Sequence, residues 1–248
     1  MSAFALKCIA VLTMLIDHVG AAFYAPARDS GIDILNFRAI GRMAFPIFVF
    51  FIAEGCRHTR HMRKYACRLG LFALLSQIPF TLLFESAKLY PNRAVVFFDY
   101  KTLNIFFTLF LGVCAIACYQ AWVEKPRRAP YTIQSAGAIA AVAAFAAMGS
   151  MLGTDYGAVG VSFIFICYLA KERATQALAL FTMVFILYAG EPPFSYGMRL
   201  VLGGGAACAA LLLYNGKKGF DSVLIKWLFY VFYPVHLLAL FVLYQVLL

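Results

Sequence analysis

The chain is short of charge. Only 13% of its 248 residues are Asp, Glu, Lys or Arg, where a soluble domain carries about 25%. There is too little polar side chain to cover a water-facing surface, which excludes a soluble globular domain. Short catalytic signatures are missing as well. No HExxH, GxSxG, P-loop or GxGxxG occurs, so nothing points to a zinc protease, a serine hydrolase, a nucleoside triphosphatase or a dinucleotide-binding enzyme. The seven cysteines, at 8, 56, 67, 114, 118, 167 and 208, form no CxxC pair and no Cys/His ligand spacing. No metal is therefore expected, and such scattered thiols behave as small apolar residues. No internal or inverted repeat is visible, which counts against a repeat-built transporter.

Apolar sequence is abundant instead: 64% of residues are hydrophobic and the mean hydropathy is +0.84. A spanning helix needs about 20 mostly apolar residues. The pattern predicts helices near 5–24, 38–57, 66–85, 103–122, 133–152, 156–171, 174–190, 196–214 and 222–247. The expected fold class is all-α, a polytopic membrane bundle of about nine transmembrane helices forming one domain over 1–248. The sixth and seventh segments are short and read as tilted or re-entrant. Lys7, an apolar stretch and Ala25-Pro26-Ala27 loosely mimic a signal peptide. Asp17 and His18 interrupt that stretch, however, and a discarded leader has no use for them, so the segment reads as a retained first helix.

The net charge of +10 does not imply nucleic acid. Its Lys and Arg residues sit in short loops between apolar runs. Arg57, Arg60, Arg63, Lys64 and Arg68, then Lys125, Arg127 and Arg128, then Lys171 and Arg173, then Lys217 and Lys218 fall on one side if the spans alternate. Lys7 and Lys226 join them. The other side receives Arg28, Lys88, Arg93 and Lys101 among Asp29, Asp33, Glu85, Asp99 and Glu191. That asymmetry places the N-terminus in the cytoplasm and the C-terminus outside. The expected home is a bacterial inner membrane, with lipid as the first partner. Homo-oligomerisation is left open.

Small residues mark packing faces, from Ser135 to Gly149 and at Gly203-Gly204-Gly205. Pro46, Pro79 and Pro234 predict kinks within helices. Ionisable groups inside spans are costly and survive only with a partner or a wet cavity. Lys7 and His18 are eleven residues apart, which leaves about 20° between them around the helix and about 16 Å along it. They share a face, so an elongated ligand could reach from one to the other. Asp17 points about 100° away from His18 and needs a counterion, for which Arg42 or Arg38 is available. Arg42 could instead balance an oxyanion. Glu54, His58 and His61 form one stripe at the inner surface. Arg57, Arg60, Arg63, Lys64, Arg68, Arg127 and Arg128 could hold the phosphates of a nucleotide-like cofactor, though on composition alone topology or anionic lipid explains them better. Gln77, Asn104 with Thr108, and His236 after Tyr233-Pro234 are further intramembrane polar groups.

These stretches together resemble the TraX family. The first is Leu12-Thr-Met-Leu-Ile-Asp17-His18-Val-Gly20. Next come Ile40-Gly41-Arg42-Met-Ala-Phe45-Pro46 running to Glu54-Gly55, and His58-Thr59-Arg60. Ser76-Gln77-Ile-Pro79-Phe80, Leu103-Asn104-Ile-Phe-Phe-Thr108, Asp155-Tyr156-Gly157 and Phe232-Tyr233-Pro234-Val-His236 follow in order. The family's named member is associated with acetylation of a pilin N-terminal amine. The family also resembles the wider group of transmembrane acyltransferases, whose first helix opens with a basic residue and a His separated by ten intervening residues. Lys7 and His18 match that spacing, with Lys in place of the usual Arg.

The resemblance implies acetyl or short acyl transfer from acetyl-CoA, or another acyl-CoA, to an amine or hydroxyl of an acceptor peptide or glycan. His18 would be general base or acyl carrier, and Arg42 or Asn104 would face the oxyanion. Lys7, Glu54, Arg57, His58, Arg60, Arg63 and Lys64 would lie toward the donor. Gln77, Tyr233 and His236 would line the acceptor side, and Asp17 would support the catalytic group. Read from the buried charges alone, a proton-coupled transporter or flippase uses the same residues.

Overall fold

In the computed structural model the described residues are 1–92, 95–123 and 130–247. Arg93, Lys125, Arg127 and Arg128, counted above among the loop charges, lie outside them. Every regular element among the described residues is an α-helix, and Leu103 and Thr154 form an isolated bridge. In order these are α1 (Ala3–Ala22), α2 (Tyr24–Asp29), α3 (Leu35–Gly41), α4 (Ala44–His58), α5 (Met62–Lys88) and α6 (Ile105–Val123). There follow α7 (Tyr131–Met151), α8 (Gly157–Leu169), α9 (Arg173–Tyr188), α10 (Phe194–Leu212) and α11 (Val223–Leu247). Among the described residues seven segments are long and apolar enough to cross a bilayer, α3 and α4 counting as one. The protein is a polytopic membrane helical bundle.

The nine apolar segments expected recur in order, but the length criterion supports seven spans. Helices α8 and α9 have 13 and 16 residues. At 1.5 Å per residue they rise about 20 and 24 Å, against a hydrocarbon core of roughly 30 Å.

The second segment is broken, and its sequence says why. Pro46 lacks an N–H and its ring crowds the carbonyl of the residue four earlier, which is Arg42. Helix α3 ends at Gly41, Arg42 and Met43 form a turn, and α4 starts at Ala44. Pro46 then occupies the first turn of α4, where a missing N–H costs nothing. Pro79 and Pro234 lie inside continuous helices.

The chain divides into two compact units, Met1–Phe48 with Leu75–Asp99 and Arg173–Leu248, and Val49–Leu74 with Tyr100–Glu172. In the first, α1 packs against α3 and α11, and α10 packs against α3 and α9. Two glycines allow the closest approaches. A Cβ on Gly41 would fall within the side chain of Asp17, and one on Gly203 would overlap the carbonyl of Ala39. Helix α11 buries Tyr233, His236, Leu237, Leu240 and Tyr244. Its opposite stripe of Val235, Leu238, Val242 and Val246 is exposed and apolar, as a lipid-facing surface must be. The chain start lies along the segment after α10, with Ala3 N–H donating to Lys217 O at 2.8 Å and Phe4 N–H to Lys218 O at 3.0 Å. Ser2 caps α1 through a bond from Ala5 N–H at 3.2 Å.

In the second unit α6 packs on α7 and α8, and α7 on α8. Asn104 precedes α6 and caps it, its Oδ1 accepting from Phe106 N–H at 3.0 Å. The turn into α8 puts Tyr156 at φ 82°. It is tied by Leu103 N–H to Gly153 O and by Asp155 N–H to Leu103 O, both at 2.9 Å.

The glycine contacts generate a stability test. Gly203→Leu would force α10 off α3 and should cost about 1–3 kcal/mol, read as a lower thermal midpoint in detergent. Gly190→Ala, where a Cβ meets nothing within 4 Å, should leave the midpoint unchanged.

Candidate functional site

Adjacent residues on α1 look toward different partners. Asp17 is buried against the α3–α4 break. Both of its carboxylate oxygens lie 2.5 Å from Arg42 Nη2, and Arg38 Nη1 reaches Oδ2 at 2.8 Å. Arg38 Nη1 also donates to the Asp17 carbonyl at 3.2 Å. Arg42 is held on its other edges by the Arg38 carbonyl, 3.2 Å from Nε, and the Tyr188 hydroxyl, 3.1 Å from Nη1. The side chains of Arg42 and Asp17 are only 10% and 12% exposed, that of Arg38 27%. Arg42 is thus committed to Asp17. Arg38 uses Nη1 alone, and its Nε and Nη2 meet no partner among the described residues. Two positive charges face one negative charge here, which leaves one surplus.

His18, one residue on, is turned about 100° around the helix and faces α5 and α11. Its Nδ1 lies 2.7 Å from Nε2 of His236. The two rings lie nearly parallel, at 9°, with centroids 4.9 Å apart, as an in-plane bond between ring nitrogens requires. Phe84 meets the His18 ring edge-on at 5.2 Å and Tyr233 does so at 6.0 Å. Nδ1 of His236 is 2.7 Å from the carbonyl of Phe232, whose ring stacks on His236 at 4.7 Å. Nε2 of His18 meets no hydrogen-bond partner among the described residues, and the residue as a whole is only partly buried. A half-buried imidazole is therefore clamped through one nitrogen, and the other remains available for proton exchange with a bound molecule.

The remaining expected residues separate. Lys7 lies at the start of α1, its Nζ 5.8 Å from the centroid of the Phe229 ring. The backbone bonds to Lys217 and Lys218 bring those two residues to the same end. Asp221 pairs with Lys226 at 2.8 Å and with Lys218 at 3.6 Å, and the hydrogen bond from Lys226 holds its carboxyl below the usual carboxylate range. Lys217, Lys218 and Lys226 had read only as topology signals, because nothing local in the sequence joins them to Lys7.

Gln77 donates to Thr81 Oγ1 at 3.3 Å and to Asp99 O at 3.2 Å. Asn104 belongs to the second unit, where its Nδ2 donates to Ala73 O at 2.8 Å while Oδ1 caps α6. In the same unit Arg57 turns to the C-terminal end of α8, donating to the carbonyls of Cys167, Tyr168 and Ala170, and also pairs with Glu54. A cation there satisfies orphan carbonyls and the helix dipole, and leaves little of Arg57 for a phosphate. His58 pairs with Glu54 at 3.3 Å. Arg60, Arg63 and Lys64 are exposed. No group of three or more potential metal ligands occurs among the described residues.

Fold and site together define a multi-span membrane protein whose first helix carries a buried ion pair and an accessible, paired histidine. Comparison with known proteins places it more narrowly. The family described as TraX protein matches residues 2–244, and the chain belongs to that family. It is 30% identical to the probable fimbrial assembly protein FimC, serogroup H1, of Dichelobacter nodosus, over 96% of this chain and 94% of that protein. It is also 30% identical to a stretch of uncharacterized protein RP591 of Rickettsia prowazekii (strain Madrid E), over 45% of this chain and 35% of that one. No solved structure matches the chain.

The ion pair generates the second test. Asp17→Ala leaves two guanidinium groups facing each other without a counterion. Loss of one partner from a buried pair costs about 3–5 kcal/mol, so the thermal midpoint should fall sharply. Asp17→Ala combined with Arg42→Ala should lose less than the sum of the single variants.

Proposed function

We propose that this protein is a membrane-bound acyltransferase that moves an acetyl or short acyl group from a CoA thioester to an amine or hydroxyl of an acceptor. The observation that carries the reading is His18: one ring nitrogen held by His236 at 2.7 Å, the other without a hydrogen-bond partner among the described residues, with the rings of Phe84 and Tyr233 edge-on to it. That is what general-base catalysis asks of an imidazole: fixed orientation and one free lone pair. The resemblance to transmembrane acyltransferases in the spacing of Lys7 and His18 supports the same reading.

The donor's anionic end fits the lysine-rich end of α1, where Lys218 and Lys226 pair with Asp221 and backbone bonds bring Lys217 and Lys218 to the helix that carries Lys7. Lys7 lies about 16 Å along the helix from His18, so a donor held there would extend its thioester toward the imidazole. Arg60, Arg63 and Lys64 form a second exposed basic group, in the other unit. As the acceptor attacks, negative charge develops on the thioester oxygen. The surplus positive charge of the Asp17–Arg38–Arg42 cluster offsets it, with Arg38 offering the open edge and Arg42 holding the cluster together.

The relative named for fimbrial assembly, like the resemblance to a pilin acetylase, favours a surface-appendage subunit as acceptor over an envelope glycan. The protein then resides in the bacterial inner membrane with its N-terminus and donor site on the cytoplasmic side. A transporter or flippase needs charges free to alternate between states, whereas Asp17 is locked between two arginines.

The test uses purified full-length protein with labelled acetyl-CoA. The wild type should be stabilised by acyl-CoA, by about 2.7 kcal/mol at a hundredfold excess over Kd, and should release free CoA when its acceptor is present. His18→Ala should keep the stabilisation and lose turnover by about 10²- to 10⁴-fold. Full turnover in a folded His18→Ala protein rejects the assignment. Uncoupler-sensitive flux with no effect of CoA supports transport in its place.

A further inference from the structure

The hydrogen bonds around His236 have a direction. The Phe232 carbonyl can only accept, so the Nδ1 of His236 that lies 2.7 Å from it carries the proton. A neutral imidazole has one N–H, which makes Nε2 of His236 a bare acceptor. Nδ1 of His18, 2.7 Å from that nitrogen, must then be the donor. His18 in turn keeps its proton on Nδ1 and presents a bare Nε2. The chain runs from His18 to His236 to the Phe232 carbonyl, and none of its members can be reversed alone. Stacking with Phe232 and the in-plane bond from His18 keep the His236 ring in place. An imidazole free in water prefers its proton on Nε2, the wrong arrangement for a base that must accept there. The tautomer is set by whatever bonds the other nitrogen.

We propose that His236 is a positioning residue that locks His18 in the Nδ1–H tautomer and shares the proton His18 takes up. Its functional consequence rests on the acyl-transfer reading, whereas the tautomer lock stands apart from it. In the transfer the acceptor's nitrogen or oxygen bonds to the thioester carbonyl carbon, and its proton passes to Nε2 of His18. The resulting positive charge spreads over both rings as the Nδ1 proton moves toward Nε2 of His236. When the carbon–sulfur bond breaks, the sulfur takes the proton from Nε2 of His18 and leaves as the thiol. Both rings return to neutrality, and the net change is acceptor-H plus acyl-S-CoA to acyl-acceptor plus HS-CoA. A neutral partner suits this place. A second carboxylate in the apolar bundle would need a counterion and would compete for the surplus positive charge beside Asp17.

Nitrogen NMR of the full chain in lipid nanodiscs, labelled with ¹⁵N-histidine, tests the lock directly, since only four histidines are present. His18 and His236 should both show protonated Nδ1 and bare Nε2, with a scalar coupling across the bond between them. In His236→Leu the His18 proton should move to Nε2. In His236→Gln the amide oxygen can accept from His18, which should keep its proton on Nδ1. Protonated Nε2 on wild-type His18, or an unchanged His18 in His236→Leu, overturns the lock. CoA release should fall about 10- to 100-fold in His236→Leu and recover in part in His236→Gln. Unchanged release by a folded His236→Leu protein overturns the positioning role and leaves acyl transfer standing. The expected tautomers in a protein that neither binds acyl-CoA nor releases CoA support the lock and remove acyl transfer.

Discussion

A carboxylate buried in a membrane helix has to find positive charge. In this protein that demand, made by Asp17, organises much of the first unit. Arg42 reaches it from the break between α3 and α4, which Pro46 creates by blocking the helical ladder at that residue. Arg38 reaches it from the preceding turn. The carboxylate lies so close to α3 that position 41 has room only for glycine. Helix α10 then closes on α3 through Gly203. The ion pair thereby fixes the rotation of α1, and with it the direction of the next side chain, His18.

Two neighbouring residues consequently solve the problem of polarity in lipid in opposite ways. Asp17 remains charged and is surrounded, so it is rigid and chemically spent. His18 is paired through a neutral acceptor and keeps one nitrogen open. Only the second arrangement leaves a group able to exchange a proton with a ligand. The two arginines that surround Asp17 come from α3 and the turn after it. Burial is thus divided between a structural anchor and a reactive group a hundred degrees apart on one helix.

The second unit shows polar groups consumed by structure. Arg57 closes the carbonyl end of α8 and Asn104 starts α6. Both attracted a functional reading because an arginine beside a span and an asparagine inside one are expensive. Their cost is met by backbone groups that helix ends leave orphaned. In the first unit Lys7 shows the converse. Its neighbours Lys217, Lys218 and Lys226 looked like ordinary loop charges and come together only because the chain start is hydrogen-bonded to the segment after α10.

The sequence alone determined the membrane class, the order and rough limits of the apolar helices, a distortion at Pro46 though not the full break there, and the need for an arginine partner at Asp17. Each follows from local quantities: hydropathy summed over a span, the missing N–H of proline, the cost of one buried charge. It also separated Asp17 from His18, because a hundred degrees per residue is a property of any helix. Only the tertiary structure decided that His18 meets His236 across 218 residues of chain, that Arg57 turns to a helix end, and that Lys217 and Lys218 come to the start of α1. Such contacts depend on how whole helices pack, and packing is set by the sum of many weak contacts that no short window of sequence contains.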